Sequence, residues 1–237
     1  MNIIIVGATS GIGKALFEKY AGEGHHVAIV GRRKHLLDEL VAAFPNNATA
    51  KVADVTKQDE IETAIHELWT EMHEVDIAIV CAGTGQINRE LDYAKEKPTL
   101  DTNVMGWTFV VDMLYGLLEK QGKGQLASIS SVGGLRGEAL APAYTATKAF
   151  QINYLEALRK KAYKDGSKIR ITDVRPGFVD TAMAQGDSLF WVMPVEKVAN
   201  QIYNAIRKGK GKVYVTKRWR VIAILYKALP FTLFKKI

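Results

Sequence analysis

Tyr144 and Lys148 stand four residues apart in a segment of helical period, 142–164, so a phenol and an ammonium share one helix face. A free tyrosine titrates near about 10, too high for efficient proton transfer at neutral pH. A cation beside it in a partly desolvated cleft favours the phenolate and lowers that value, which would fit Tyr144 to give and take a proton. Two hydroxyls, Ser130 and Ser131, lie upstream at the end of an apolar run of strand length. A strand followed by a helix would bring such a hydroxyl and the phenol to one cleft. Residue pairs at this spacing are common, so the surroundings must decide what the pair does.

The second constellation is Gly7-Ala8-Thr9-Ser10-Gly11-Ile12-Gly13, placed directly between an apolar run and a helical pattern. That is the context a dinucleotide-binding turn requires. Gly7 permits the tight turn, Gly11 lets the backbone approach a pyrophosphate, and Gly13 allows close packing of helix on strand. The helix N-terminus, reached through Thr9, Ser10 and Ile12, then faces the negative charge. The next apolar run ends in Gly31-Arg32-Arg33, where the adenosine ribose should lie. A carboxylate there would bond the ribose hydroxyl and repel a 2′-phosphate, whereas arginine pairs with that phosphate. Arg32 and Arg33 therefore point to NADP(H), with NAD(H) as the alternative.

The Gly-three-Gly-one-Gly spacing resembles the TGxxxGxG turn of the short-chain dehydrogenase/reductase superfamily, with Val6 where the family often has Thr. Five more sets of residues resemble the family's motifs. Asp54-Val55 resembles the Asp-hydrophobic pair that contacts the adenine. Cys81-Ala82-Gly83 resembles the Asn-Ala-Gly turn, Cys81 replacing Asn, so Ala82 and Gly83 are expected to border the cofactor. Tyr144 and Lys148 match the family's YxxxK pair, and the family's Ser-to-Tyr separation selects Ser131 over Ser130. Asn103 resembles the helix asparagine that holds a water leading from Lys148 to solvent. Arg175-Pro176-Gly177-Phe178-Val179-Asp180-Thr181 resembles the Pro-Gly turn beside the nicotinamide, implying contacts from Pro176, Gly177, Val179 and Thr181. The resemblance implies a Ser131-Tyr144-Lys148-Asn103 tetrad, with Tyr144 and Lys148 also touching the cofactor. It further implies hydride transfer between NADP(H) and a small-molecule carbonyl or alcohol, and pairing of copies through 98–120 and 142–164 into a homodimer or homotetramer.

The elements that must position these residues follow from periodicity. Strand-length apolar runs fall at 2–6, 26–30, 49–53, 76–80, 125–130, 168–174 and 212–215, and helical patterns at 11–23, 33–44, 57–73, 98–120, 142–164 and 194–208. Alternation of this kind predicts a doubly wound, Rossmann-like α/β three-layer sandwich around a seven-stranded parallel sheet. Several helices start at or just after proline, as at Pro98, Pro142 and Pro194, and Pro45 and Pro176 fall in loops. No repeat or long linker divides the 237 residues, which reads as one domain.

The net charge of +7 suits an anionic partner, and a phosphate-bearing cofactor satisfies it. No run of five like charges and no nucleic-acid motif occurs, so nucleic acid is not an expected partner; nor is a metal. The single cysteine, Cys81, excludes an intramolecular disulfide framework and suits a reducing compartment, and the start of the chain reads as a strand, not a signal peptide. A cytoplasmic location is expected, with the basic and apolar tail 217–237 either packed on protein or lying on a membrane surface. Phe190, Trp191 and Met193 suggest an apolar pocket wall. Two other readings stay open: an NAD-dependent alcohol dehydrogenase, and a cofactor-binding regulator without catalysis.

Overall fold

The computed structural model describes residues 1–184 and 190–236; Ile237 of the tail lies outside them. Seven strands, β1 Asn2–Val6, β2 His26–Gly31, β3 Ala48–Val52, β4 Ile77–Val80, β5 Gly124–Ile129, β6 Ile169–Pro176 and β7 Lys212–Val215, form one sheet in the order β3-β2-β1-β4-β5-β6-β7. Every neighbouring pair is parallel. This is the expected Rossmann-like sheet, with helices on both faces.

Both faces are dry because successive side chains of each strand leave on opposite sides. In β1, Ile4 and Val6 join Ile61 and Leu68 of α3 (Gln58–Met72), Val111 of α5 (Trp107–Gln121) and Leu155 of α6 (Pro142–Lys164). Ile3 and Ile5 join Leu16 and Phe17 of α1 (Gly11–Gly22), Leu37 of α2 (Lys34–Ala43) and Ile202 of α7 (Val195–Arg207). A run such as Ile3-Ile4-Ile5-Val6, buried throughout, is therefore what a parallel strand covered on both sides requires.

Two expectations need correction. The helix expected at 98–120 begins earlier, at α4 (Tyr93–Leu100), where Asp92 caps the first turn by accepting from the Ala94 N–H at 2.9 Å. Pro98 thus lies inside the helix instead of opening it. Lacking an N–H, it breaks the hydrogen-bond ladder, and the chain widens into a π-turn over Asp101–Gly106 before α5. The second concerns Pro176, which is the last residue of β6, paired with Val215 of β7, and not a loop residue. A strand end beside an edge strand is where one missing donor costs least.

After β7 come α8 (Lys217–Ala228) and α9 (Phe231–Phe234). Trp219 and Ala223 of α8 are buried against the body, so the tail packs on protein along one face.

Candidate active site

The carboxyl ends of β4, β5 and β6, the first turns of α6 and the π-turn meet at one edge of the sheet. Beyond β5 the two serines separate. Ser130 is buried and donates to Asp173 Oδ1 at 2.6 Å or to the Val174 carbonyl at 3.0 Å, which commits it to the sheet. Ser131 opens a short 3-10 turn, its Oγ accepting from the Gly133 N–H at 3.0 Å, and its hydroxyl faces Tyr144 closely enough to ease ionisation of the phenol.

Tyr144 is half-buried in the first turn of α6. Burial pushes its phenol above the ordinary value, and the nearby Ser131 hydroxyl only partly offsets this. One turn on, Lys148 is buried, and loss of solvent lowers its amine from 10.5 to about 8 against weaker opposing influences from Cys81 and Asp173. Its Nζ lies 5.9 Å from the centre of the Tyr144 ring. That amine donates to the Ile129 carbonyl at 3.0 Å and to Gln151 Oε1 at 2.9 Å. The expected lowering of the phenol by Lys148 is not found: desolvation dominates, Ser131 alone opposes it, and the amine of Lys148 is bonded elsewhere. Tyr144 is held protonated.

Asn103 sits in the π-turn, fully buried. Its amide donates to the Thr84 carbonyl at 2.7 Å and Thr147 Oγ1 at 3.0 Å, while Oδ1 accepts from the Thr84 N–H at 2.8 Å. Its backbone carbonyl accepts from Gln151 Nε2 at 2.9 Å. Gln151 therefore bridges Lys148 to Asn103 directly. The sequence reading missed Gln151, although its position one turn beyond Lys148 on the same helix was a usable signal. It also missed the support beneath the site. Asp173 Oδ2 accepts from Arg175 Nε at 2.7 Å and lies 2.6 Å from Nη2, both residues buried, and Arg175 Nη1 reaches the Tyr214 hydroxyl at 3.2 Å.

The glycine turn lies along the same edge. Gly7 has φ +90°, and a Cβ there would sit 2.5 Å from the Ala82 nitrogen; one on Gly13 would sit 2.1 Å from the Gly7 carbonyl oxygen. Only hydrogen at these positions lets strand, helix and the turn after β4 close up. Ile12 packs into the core, leaving the first N–H groups of α1 to face a ligand. Thr181 closes the far side, its Cγ2 being 3.2 Å from where a Cβ of Gly11 would stand. Gly83 lies beside Lys148: a Cβ on it would be 3.4 Å from Nζ.

At the other end Arg33 bends over the turn, with Nε 3.1 Å and Nη2 2.5 Å from Thr9 Oγ1 and Nη2 2.8 Å from Ser10 Oγ. Arg32 reaches Asp54 Oδ2 at 3.3 Å. Burial raises the Asp54 carboxyl, but bonds from the Thr56 N–H and hydroxyl and the charge of Arg32 outweigh it, leaving the group below its ordinary value. Val55 is buried behind Asp54 and packs in the core. Cys81 is a partly buried thiol that desolvation pushes up to about 12, which makes it inert as a nucleophile. Beyond β6, the Gly177 N–H donates to the Val215 carbonyl at 2.9 Å, and Val179 is bridged to Met193. Phe190 and Trp191 join Phe178 and Trp219 in an aromatic cluster beside this turn. A surface cavity of about 400 Å³ lined by Met1, Asp76, Gly124 and Arg170 lies at the opposite, amino edge of the strands, away from these groups.

The residues fit a nicotinamide dinucleotide: a cradle that side chains would fill, a helix N-terminus, and a guanidinium bonded only to neutral hydroxyls beside it. The profile of the short chain dehydrogenase family matches residues 1–189. An uncharacterized oxidoreductase of Myxococcus xanthus is 30% identical over 98% of this chain and 93% of its own, and one of Staphylococcus epidermidis is 29% identical over 77% and 80%. Among solved structures, a serine dehydrogenase in its closed form with NADP+ superimposes with a TM-score of 0.83 at 23% identity, covering 91% of this chain and 94% of the other. A short chain dehydrogenase/reductase from Burkholderia phymatum with NAD gives 0.84 at 18%, covering 94% and 92%. The chain belongs to the short chain dehydrogenase family, whose members are NAD(P)-binding oxidoreductases.

Proposed function

We propose that this protein interconverts a carbonyl and an alcohol with NADP(H), Tyr144 carrying the proton. The observation that carries the reading is the meeting of two groups, Ser131 with Tyr144 and the bonded chain Lys148–Gln151–Asn103, at the edge where the glycine turn also opens. Bound nicotinamide would supply or accept the hydride. Ser131 and Tyr144 would hydrogen-bond the carbonyl oxygen, and the phenol, kept neutral by burial, would give that oxygen its proton. The ammonium of Lys148, 5.9 Å from the ring, would stabilise the phenolate that remains. The NADP(H) preference rests on Arg33, which together with Ser10 and Thr9 offers a 2′-phosphate a charged donor and two hydroxyls. The reading also has copies of the chain pairing through α5 and α6, where Phe150 is partly exposed beside Tyr154.

The test is NADPH oxidation across ketones, aldehydes and quinones, with affinities for NADPH and NADH measured in parallel. Turnover of at least one carbonyl and tighter binding of NADPH are expected. NADPH binding with no turnover anywhere would favour a regulator, and tighter NADH binding would overturn the cofactor assignment.

A further inference from the structure

The segment 217–237 holds six of the chain's 32 Lys and Arg and none of its 25 Asp and Glu, so nearly all of the net charge of +7 resides there. At 100° per residue, α8 presents two opposite stripes. One, with Trp219 and Ala223, is buried on the body. The other, Val221, Ile224 and Leu225, is apolar and more than half exposed, and Phe231 and Leu233 of α9 extend the exposed apolar surface. Arg220 and Lys227 flank the exposed stripe on one side and Arg218 on the other, with Lys217 at its start, all exposed.

The helix that carries this face is fastened beside the site by its other side. The Trp219 indole lies so tightly on Gly177 that a Cβ there would be 1.9 Å from Cε2. Arg136, just past the turn opened by Ser131, donates to the Tyr226 and Leu229 carbonyls at 3.1 and 2.9 Å and lies 4.4 Å from the Phe234 ring. The tail is thus fastened to both loops that border Tyr144 and the Pro-Gly turn.

We propose that α8 and α9 form a docking face for an anionic lipid bilayer and that the substrate entrance opens beside it, so that the substrate is an apolar carbonyl or alcohol dissolved in the bilayer. The substrate clause rests on the carbonyl-reducing function proposed above; the docking clause does not. Charge selects this occupant. A second copy seated on the same face by a two-fold axis would set six cations against six. A nucleic acid would meet the cations but leave five large apolar side chains in water. A bilayer satisfies both, its anionic headgroups meeting the cations while the apolar stripe enters the acyl boundary. No helix among the described residues is long and apolar enough to cross a membrane, as befits a face that lies on it.

The experiment is co-sedimentation of the full chain with vesicles of phosphatidylcholine alone and of phosphatidylcholine mixed with phosphatidylserine. Wild type is compared with Ile224→Ser/Leu225→Ser and with Lys217→Gln/Arg220→Gln/Lys227→Gln; melting temperature and NADPH binding check that the fold is kept. Wild type should bind the mixed vesicles, less at high salt. The charge variant should bind on the order of a hundredfold more weakly, roughly fivefold per cation, and the serine variant should also lose binding. Wild type remaining in the supernatant, or variants binding like wild type, would overturn docking. So would a dimer that the serine variant splits, or retention by duplex DNA in place of vesicles. A long-chain ketone should be turned over faster by wild type in mixed than in neutral vesicles. Vesicle binding without that difference removes the substrate clause alone, whereas vesicle binding with no turnover of any carbonyl removes the proposed function and leaves docking in place.

Discussion

Two arginines at the same edge of the sheet show how differently its halves hold charge. On the β2 side Arg32 is 67% exposed and meets Asp54 at 3.3 Å; on the β6 side Arg175 is 1% exposed and meets Asp173 at 2.6 Å. The first half keeps its cations at the surface, paired there with Asp54, Thr9 and Ser10. The second has removed its charges from water, and burial is the largest influence on the phenol and amine of α6, raising Tyr144 and bringing Lys148 to about 8. Under the proposed function, binding would draw on adjustable surface groups and proton transfer on groups fixed before the substrate arrives.

The comparison breaks most visibly in stability. Asp173→Asn leaves Arg175 buried without its anion and should cost about 3–5 kcal/mol in urea unfolding. Arg32→Ala should cost less than about 1 kcal/mol. Equal losses would mean that the halves do not differ. Lys148→Met should stabilise the fold while abolishing turnover. With its value lowered to about 8, the buried amine costs roughly 3 kcal/mol at neutral pH, part of which its two hydrogen bonds return. That cost is full below pH 8 and fades as pH rises towards 10.5, so the gain of about 1–3 kcal/mol should shrink over that window. A constant gain across it would show that the amine is not desolvated. Arg33→Ala should weaken NADPH by roughly 10- to 100-fold, for a charge-assisted contact of about 1.5–3 kcal/mol, and leave NADH nearly unchanged. Smallest is Gln151→Leu, which deprives the ammonium of an acceptor. Turnover should fall less than about tenfold near neutrality, and its alkaline decline should begin at lower pH; an unmoved profile would make Gln151 a packing residue only.

Local signals were legible in proportion to how local the physics is. The glycine turn is a contiguous backbone device, and the seven strands announce themselves as apolar runs whose ends move by only a residue or two. The Tyr144–Lys148 spacing fixes a shared helix face but not where the amine points, because Ile129 and Gln151 compete for it. Pro98 misled because a proline inside a helix reads like one at its start, and the Asp92 cap was the stronger signal. The Asp173–Arg175 pair alternates with apolar residues along β6, so both side chains lie on one face. Nothing local distinguishes such a pair from solvated charge; Ser130, just past β5, and Tyr214 of β7 complete its hydrogen bonding from elsewhere in the chain.

The most direct measurement is turnover of Tyr144→Phe on a carbonyl that wild type reduces, with NADPH affinity determined alongside. The ring packing survives and the hydroxyl is gone, so NADPH should still bind within a fewfold while turnover falls by about 10²–10⁴-fold. Turnover within a fewfold of wild type would contradict the assignment of the proton to this phenol.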